Sequence, residues 1–139
     1  MIQIIAGEKG KGKTKILLDK VNTSIKEASG TIVYLDKNTK HMYELNNKIR
    51  LINVKDYCID TCQEFIGFIC GLVSQDHDLE KIYLDSFLNI SCLENADITA
   101  VLEKLDLISA KFSVDFVISI SVNADDIPEK FKSNVIVAL

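Results

Sequence analysis

The sequence predicts an α/β fold, a three-layer sandwich with a mainly parallel sheet of about five strands and helices on both faces. Three observations carry that expectation. Short apolar runs alternate with longer stretches of helical periodicity, as in repeated strand-helix-strand units. A glycine-rich stretch, "GEKGKGKT", separates the first apolar run from the first helical one. The 139 residues, 47% apolar and 26% charged, have the size and composition of one globular domain spanning residues 1–139.

Taken in order, "IQIIA" is the first strand, and the helix after Lys13 buries Ile16, Leu17, Val21 and Ile25 until Gly30 stops it. "TIVYLD" is the second strand. "IRLINV", reached through "KNTKHMYELNN", reads as a short strand or edge piece. A helix is expected from about Asp56 to Ser74, followed by the polar loop "QDHDLE" and the strand "KIYLD". Asn95 or Asp97 can cap a helix carrying Ile98, Val101, Leu102, Leu105 and Ile108, which leads into "DFVISIS". Pro128 falls in the first turn of a short helix, and "NVIVAL" is the last strand. Repeats, linkers and low-complexity tracts are not seen.

A formal charge of −4 argues against non-specific attraction to nucleic acid or to anionic membrane surfaces. "FIGFICGLV" is too short to span a bilayer, and the first residues lack a signal-peptide pattern, so a cytoplasmic protein is expected. Cys58, Cys62, Cys70 and Cys92 form no paired Cys-x-x-Cys knuckles and have no histidine at ligand spacing; they read as buried free thiols. His41 and His77 sit in polar stretches and read as surface residues.

"GEKGKGKT" fits the Walker A spacing at Gly7, Gly12, Lys13 and Thr14. Glycines let the backbone turn its N–H groups around phosphate oxygens, and the helix that follows adds the positive end of its dipole. The backbone of Gly10, Lys11, Gly12, Lys13 and Thr14 is therefore expected to hold phosphates. Lys13 would reach the β- and γ-phosphates, and the Thr14 hydroxyl would face Mg²⁺. The Lys9 and Lys11 side chains read as solvent-facing. "IYLD" supplies a second signal, because Asp85, at the end of a neighbouring strand, could hold Mg²⁺ through its waters. "VYLD", ending at Asp36, has the same form.

Together these pieces resemble the RecA-type branch of P-loop ATPases. The resemblance rests on "GEKGKGKT", "TIVYLDKNTKHMYEL", "QEFIGFICGL", "KIYLDSF" and "FVISIS", and covers most of the chain. It implies a minimal RecA-like core that binds ATP and Mg²⁺, with a strand inserted between the phosphate-loop strand and the magnesium-acid strand. Two departures accompany it. Where the family carries Asp-x-Glu beyond the second strand, this chain has Asp36, Lys37 and Asn38. Asn38 can orient a water but cannot take its proton, which leaves Asp36 as the nearest substitute. The segments after Asp85 and after "FVISIS" are also too short for the DNA-binding loops of a recombinase.

Arg50 is the only arginine, which fits poorly with the arginine clamps of nucleotide kinases. Asp-x-x-Gly and Asn-Lys-x-Asp, the guanine-nucleotide signatures, are absent, so adenine is the expected base. Two functions are expected: an ATP-binding protein with weak Mg²⁺-dependent hydrolysis, or a nucleotide-switched binding module that hydrolyses nothing and acts through a protein partner. Ser119 or Ser121 could report the γ-phosphate. Phe68 and Leu72 fall off the stripe Cys58, Ile59, Cys62, Phe65, Ile66, Ile69 and Val73, beside Gly67 and Gly71, which admits two readings: a helix buried nearly all round within its own domain, or a contact surface for a partner. A second copy or another subunit could dock there.

Overall fold

The computed structural model describes residues 1–139. Six strands, β1 (Ile2–Ala6), β2 (Thr31–Asp36), β3 (Arg50–Asn53), β4 (Leu79–Leu84), β5 (Asp115–Ile120) and β6 (Val135–Ala138), form one sheet. Its order is β3-β2-β4-β5-β1-β6, and every pairing is parallel. The sheet thus has one strand more than the expected number, because both short pieces, β3 and β6, join it as edges. All strands run the same way, so β1, β2, β4 and β5 release their loops along one edge of the sheet. In open α/β sheets that carboxyl edge is where ligands bind.

Alternation along the strands divides the core in two. Ile4, Val33, Leu35, Ile82, Leu84, Phe116 and Ile118 face α2 (Cys62–Gln75), α3 (Phe87–Ile90) and α4 (Thr99–Phe112). Ile5, Ile32, Tyr34, Tyr83 and Val117 face α1 (Lys13–Ser24), which presents Leu17, Leu18 and Val21. Ile16, expected inside, is only partly buried at the rim of this smaller layer, and Leu18 takes its place in the core. The α1 helix ends at Ser24, before Gly30. The role of Gly30 is spatial: a Cβ there would lie 2.0 Å from the Asp78 carbonyl oxygen.

The second long helix begins later than its apolar periodicity suggests. A 3₁₀ turn at Val54–Tyr57 and a left-handed Cys58 (φ 59°) precede it, so Cys58 and Cys62 do not share a helical turn. Thr61 starts α2 through a capping box: its hydroxyl accepts from the Glu64 N–H, and the Glu64 carboxylate accepts from the Thr61 N–H, each at 3.1 Å. Thr61→Ala is expected to destabilise the chain by about 1 kcal/mol. A urea titration should show this as a lower midpoint at unchanged slope.

The α2 stripe is buried at Phe65, Ile69 and Val73, and Phe65 meets Phe87 edge-on at 6.0 Å. Phe68 and Leu72 do not face open water as the docking reading requires. Both are half-buried against the main core, and the Phe68 ring lies 5.5 Å from that of Tyr57, which rises from the preceding turn. Gly67 and Gly71 are exposed. The cysteines are free, but Cys58, Cys70 and Cys92 are exposed and Cys62 is half-buried, contrary to expectation. Cys58 and Cys92 occupy left-handed turn positions, and Cys70 lies on the outer face of α2. No helix is long and apolar enough to cross a membrane.

Candidate functional site

A cleft of about 660 Å³ opens at the carboxyl edge of the sheet. It is lined by Lys9, Gly10, Gly12, Lys13 and Thr14 from the loop after β1, and by Lys37 from the end of β2. Asp85, Ser86, Leu88, Asn89, Glu94 and Asn95 after β4, with Ser119 on β5 and Ser121 just after it, complete it. Only Leu88 is apolar, so the cleft suits a charged ligand.

The glycines of the loop do two different jobs. Gly10 (φ 81°) and Gly12 (φ 95°) occupy the left-handed region, although a Cβ at either would touch nothing within 4 Å. Backbone conformation, not space, demands glycine at both. Gly7 lies outside the cleft; a Cβ there would stand 2.9 Å from the Leu139 Cβ, so this glycine admits the last strand beside β1. Gly12 caps α1 with no side chain, which leaves the N–H groups of the first turn facing the cleft region unpaired within the helix. Such an end attracts anions.

Lys13 is buried and donates from Nζ to the Glu8 carbonyl oxygen at 3.0 Å. Burial lowers its pKa below the ordinary value, Asp85 pulls it back up, and Lys9 lowers it further. No carboxylate pairs with Lys13, Lys9 or Lys37. Lys11 does not line the cleft.

Asp85 is the most elaborately held group. Its Oδ1 accepts from the Thr14 hydroxyl at 3.3 Å, the Ser119 hydroxyl at 2.7 Å and the Ser86 N–H at 2.8 Å. Its Oδ2 accepts from the Tyr34 hydroxyl at 2.9 Å. Ser86 takes a left-handed conformation (φ 52°), rare for a residue with a side chain, and in it the N–H meets both Asp85 and Ser119. Tyr34 is fully buried, and burial together with the Asp85 charge pushes its phenol pKa up. The phenol therefore stays a donor.

Asp85 does not end a strand adjacent to β1, as its sequence position suggested. β5 lies between β1 and β4, and the two sides meet because Thr14 and Asp85 both stand over the end of β5. Asp36 is beside Asp85 in register, since Leu35 pairs with Leu84. It is buried, accepts from the Lys37 N–H at 2.7 Å, and does not line the cleft. The Asn38 side-chain oxygen accepts from the Lys40 N–H at 3.0 Å, and Asn38 is likewise outside the cleft.

Burial, then the charge of Asp85, raises the Asp36 pKa from 3.8 to about 6. Between those values the folded chain keeps a proton that the unfolded chain has lost, so stability falls as pH rises and the penalty is complete above pH 6. Asp36→Asn retains the acceptor for Lys37. In metal-free buffer it is expected to stabilise the fold by roughly 1–3 kcal/mol at pH 7, with the gain shrinking toward pH 4. Urea unfolding at several pH values checks this.

An oxygen-donor pair such as Thr14 and Asp85 fits Mg²⁺, which favours one or two carboxylates with waters and phosphates completing its shell. Nowhere do three or more His, Cys, Asp or Glu side chains form a group able to hold a metal by themselves. Tyr34, Lys37, Asn89 and Glu94 were not singled out from sequence as parts of this site. No protein-family model matches the chain, and no curated protein matches it.

Proposed function

We propose that the chain is a P-loop protein that binds ATP with Mg²⁺ on a minimal RecA-like core and hydrolyses it weakly. The observation that carries this is the meeting of the glycine loop, Lys13 and Thr14 with Asp85 in one polar cleft, Thr14 Oγ1 lying 3.3 Å from Asp85 Oδ1. The strand order supports the RecA-type assignment, with β5 between the loop strand and the acid strand. Lys13 and the unpaired N–H groups at the start of α1 bind phosphate oxygens. Thr14 and Asp85 hold Mg²⁺, which when bound neutralises phosphate charge.

The second function, a nucleotide-switched module without hydrolysis, draws support from the engagement of Asp36 and Asn38 in loop hydrogen bonds outside the cleft. In either case a partner or second copy would dock on the outer face of α2, where Gly67 and Gly71 are exposed beside the half-buried Phe68 and Leu72. Calorimetric titration with ATP, ADP and GTP, with and without Mg²⁺, tests the binding. A phosphate-release assay on the same sample separates the two functions. Absence of binding to all three nucleotides would overturn both.

A further inference from the structure

A site that acts through ATP must tell the triphosphate from the diphosphate, and the cleft holds a group placed to do so. Lys37 follows directly on β2, and its neighbour Asp36 stands beside Asp85. The strand pairing is continued by the Asp85 N–H, which donates to the Leu35 carbonyl oxygen at 2.9 Å. Lys37 therefore enters the cleft at the acid side, across from the phosphate loop, and lines it together with Lys13, Thr14 and Asp85.

Two hydrogen bonds fix the backbone around it. The Asp36 carboxylate accepts from the Lys37 N–H at 2.7 Å, and Asn38 Oδ1 accepts from the Lys40 N–H at 3.0 Å. These are the two residues that the sequence offered as water-positioning groups; in the structure both shape the turn that carries Lys37. Its ammonium has no acidic partner. Lys37 lines one polar cleft with Lys9 and Lys13, and none of the three has a carboxylate at ion-pair distance. Three ammonium groups free of ion pairs on one cleft are placed to attract a polyanion.

Lys13 and the start of α1 already serve phosphates near the loop. A cation on the opposite wall, beside the metal acid, serves the phosphate that extends furthest from the loop. The only arginine, Arg50, lies on edge strand β3 and does not line the cleft. We propose that Lys37 is a γ-phosphate sensor acting within its own chain: it makes the site favour a nucleoside triphosphate over the diphosphate, the task a neighbour's cation performs in assemblies that complete the site from outside. This rests on the nucleotide reading above.

The experiment is calorimetric titration of ATP and of ADP, both with Mg²⁺, into the parent, Lys37→Gln and Lys37→Arg. Lys37 is exposed and the variants should fold, which circular dichroism verifies. The expected result is a parent that prefers ATP, and a Lys37→Gln variant whose preference falls roughly ten- to a hundredfold, the size of one charge-assisted hydrogen bond. Its ADP affinity should stay within about twofold of the parent, because only the terminal phosphate is sensed. Lys37→Arg should recover most of the preference. Equal weakening of ATP and ADP in Lys37→Gln, or an unchanged preference, overturns the sensor and leaves nucleotide binding standing. A parent that binds both nucleotides equally does the same. A parent that binds neither overturns the nucleotide reading itself, and the sensor with it.

Discussion

Lys13→Ala is expected to lower ATP affinity by about a hundredfold or more while the protein keeps its fold and nearly all its stability. The first half follows from what the ammonium can do. It is the buried cation of the first turn of α1, and under the proposed function it would supply charge-assisted hydrogen bonds to phosphate that the exposed Lys15 could not replace from its own position. The second half follows from what it does now. Its only hydrogen bond is to the Glu8 carbonyl in an exposed loop, and no carboxylate pairs with it. Burial disfavours the charge, as the lowered pKa records, so the alanine variant sheds a strained group as well as a useful one. Calorimetry and a thermal melt of the same sample check both halves. Binding as tight as the parent's would mean that the loop does not hold phosphate, whereas an unfolded variant would assign Lys13 to the core.

Much of the fold was legible because it is written locally. The four inner strands are largely buried apolar runs, and the parity along "TIVYLD" sends Val33 and Leu35 to one core layer and Ile32 and Tyr34 to the other. The start of α2 was also written, in the Thr61 to Glu64 capping box, but apolar periodicity continuing upstream through Ile59 and Cys58 masked it. What could not be read is what long-range order decides. Whether Asp85 ends a strand next to β1 depends on where β5 inserts; nothing near Asp85 encodes that, and only the resemblance implied an inserted strand. Tyr34 has the appearance of an ordinary core aromatic; only the pairing of β2 with β4 brings its hydroxyl to Asp85. Lys37 and Glu94 carry no motif of their own and reach the cleft because their loops leave the same edge of the sheet. The exposed cysteines show the reverse case: the average preference of cysteine for burial yields to left-handed turns at Cys58 and Cys92, and to the outer face of α2 at Cys70.

Asp85→Asn is the second large effect, and the choice of asparagine is what makes it readable. Four donors converge on this carboxylate, from Thr14, Ser119, Ser86 and Tyr34. Alanine would strand several of them, the buried Tyr34 hydroxyl above all, at about 1–3 kcal/mol for each unsatisfied group, so metal binding and folding would fail together. Asparagine can keep its oxygen at the Oδ1 position, where three of the four donors point. The Tyr34 hydroxyl must then rotate to accept from the amide, a smaller loss of about 1 kcal/mol. What disappears entirely is the negative charge. ATP binding without Mg²⁺ is therefore expected to persist, while the gain in affinity that Mg²⁺ confers on the parent should fall by roughly tenfold or more. A second signature is independent of nucleotide. The Asp85 charge is one cause of the raised Asp36 pKa, so its removal should bring that carboxyl closer to its ordinary value and flatten the loss of stability between pH 4 and 6. A magnesium titration that matches the parent's, alongside a flattened pH profile, would prove the substitution effective and move the metal away from Asp85. The same titration on Tyr34→Phe should show only a fraction of the effect, because that variant loosens one oxygen of the carboxylate and leaves its charge in place.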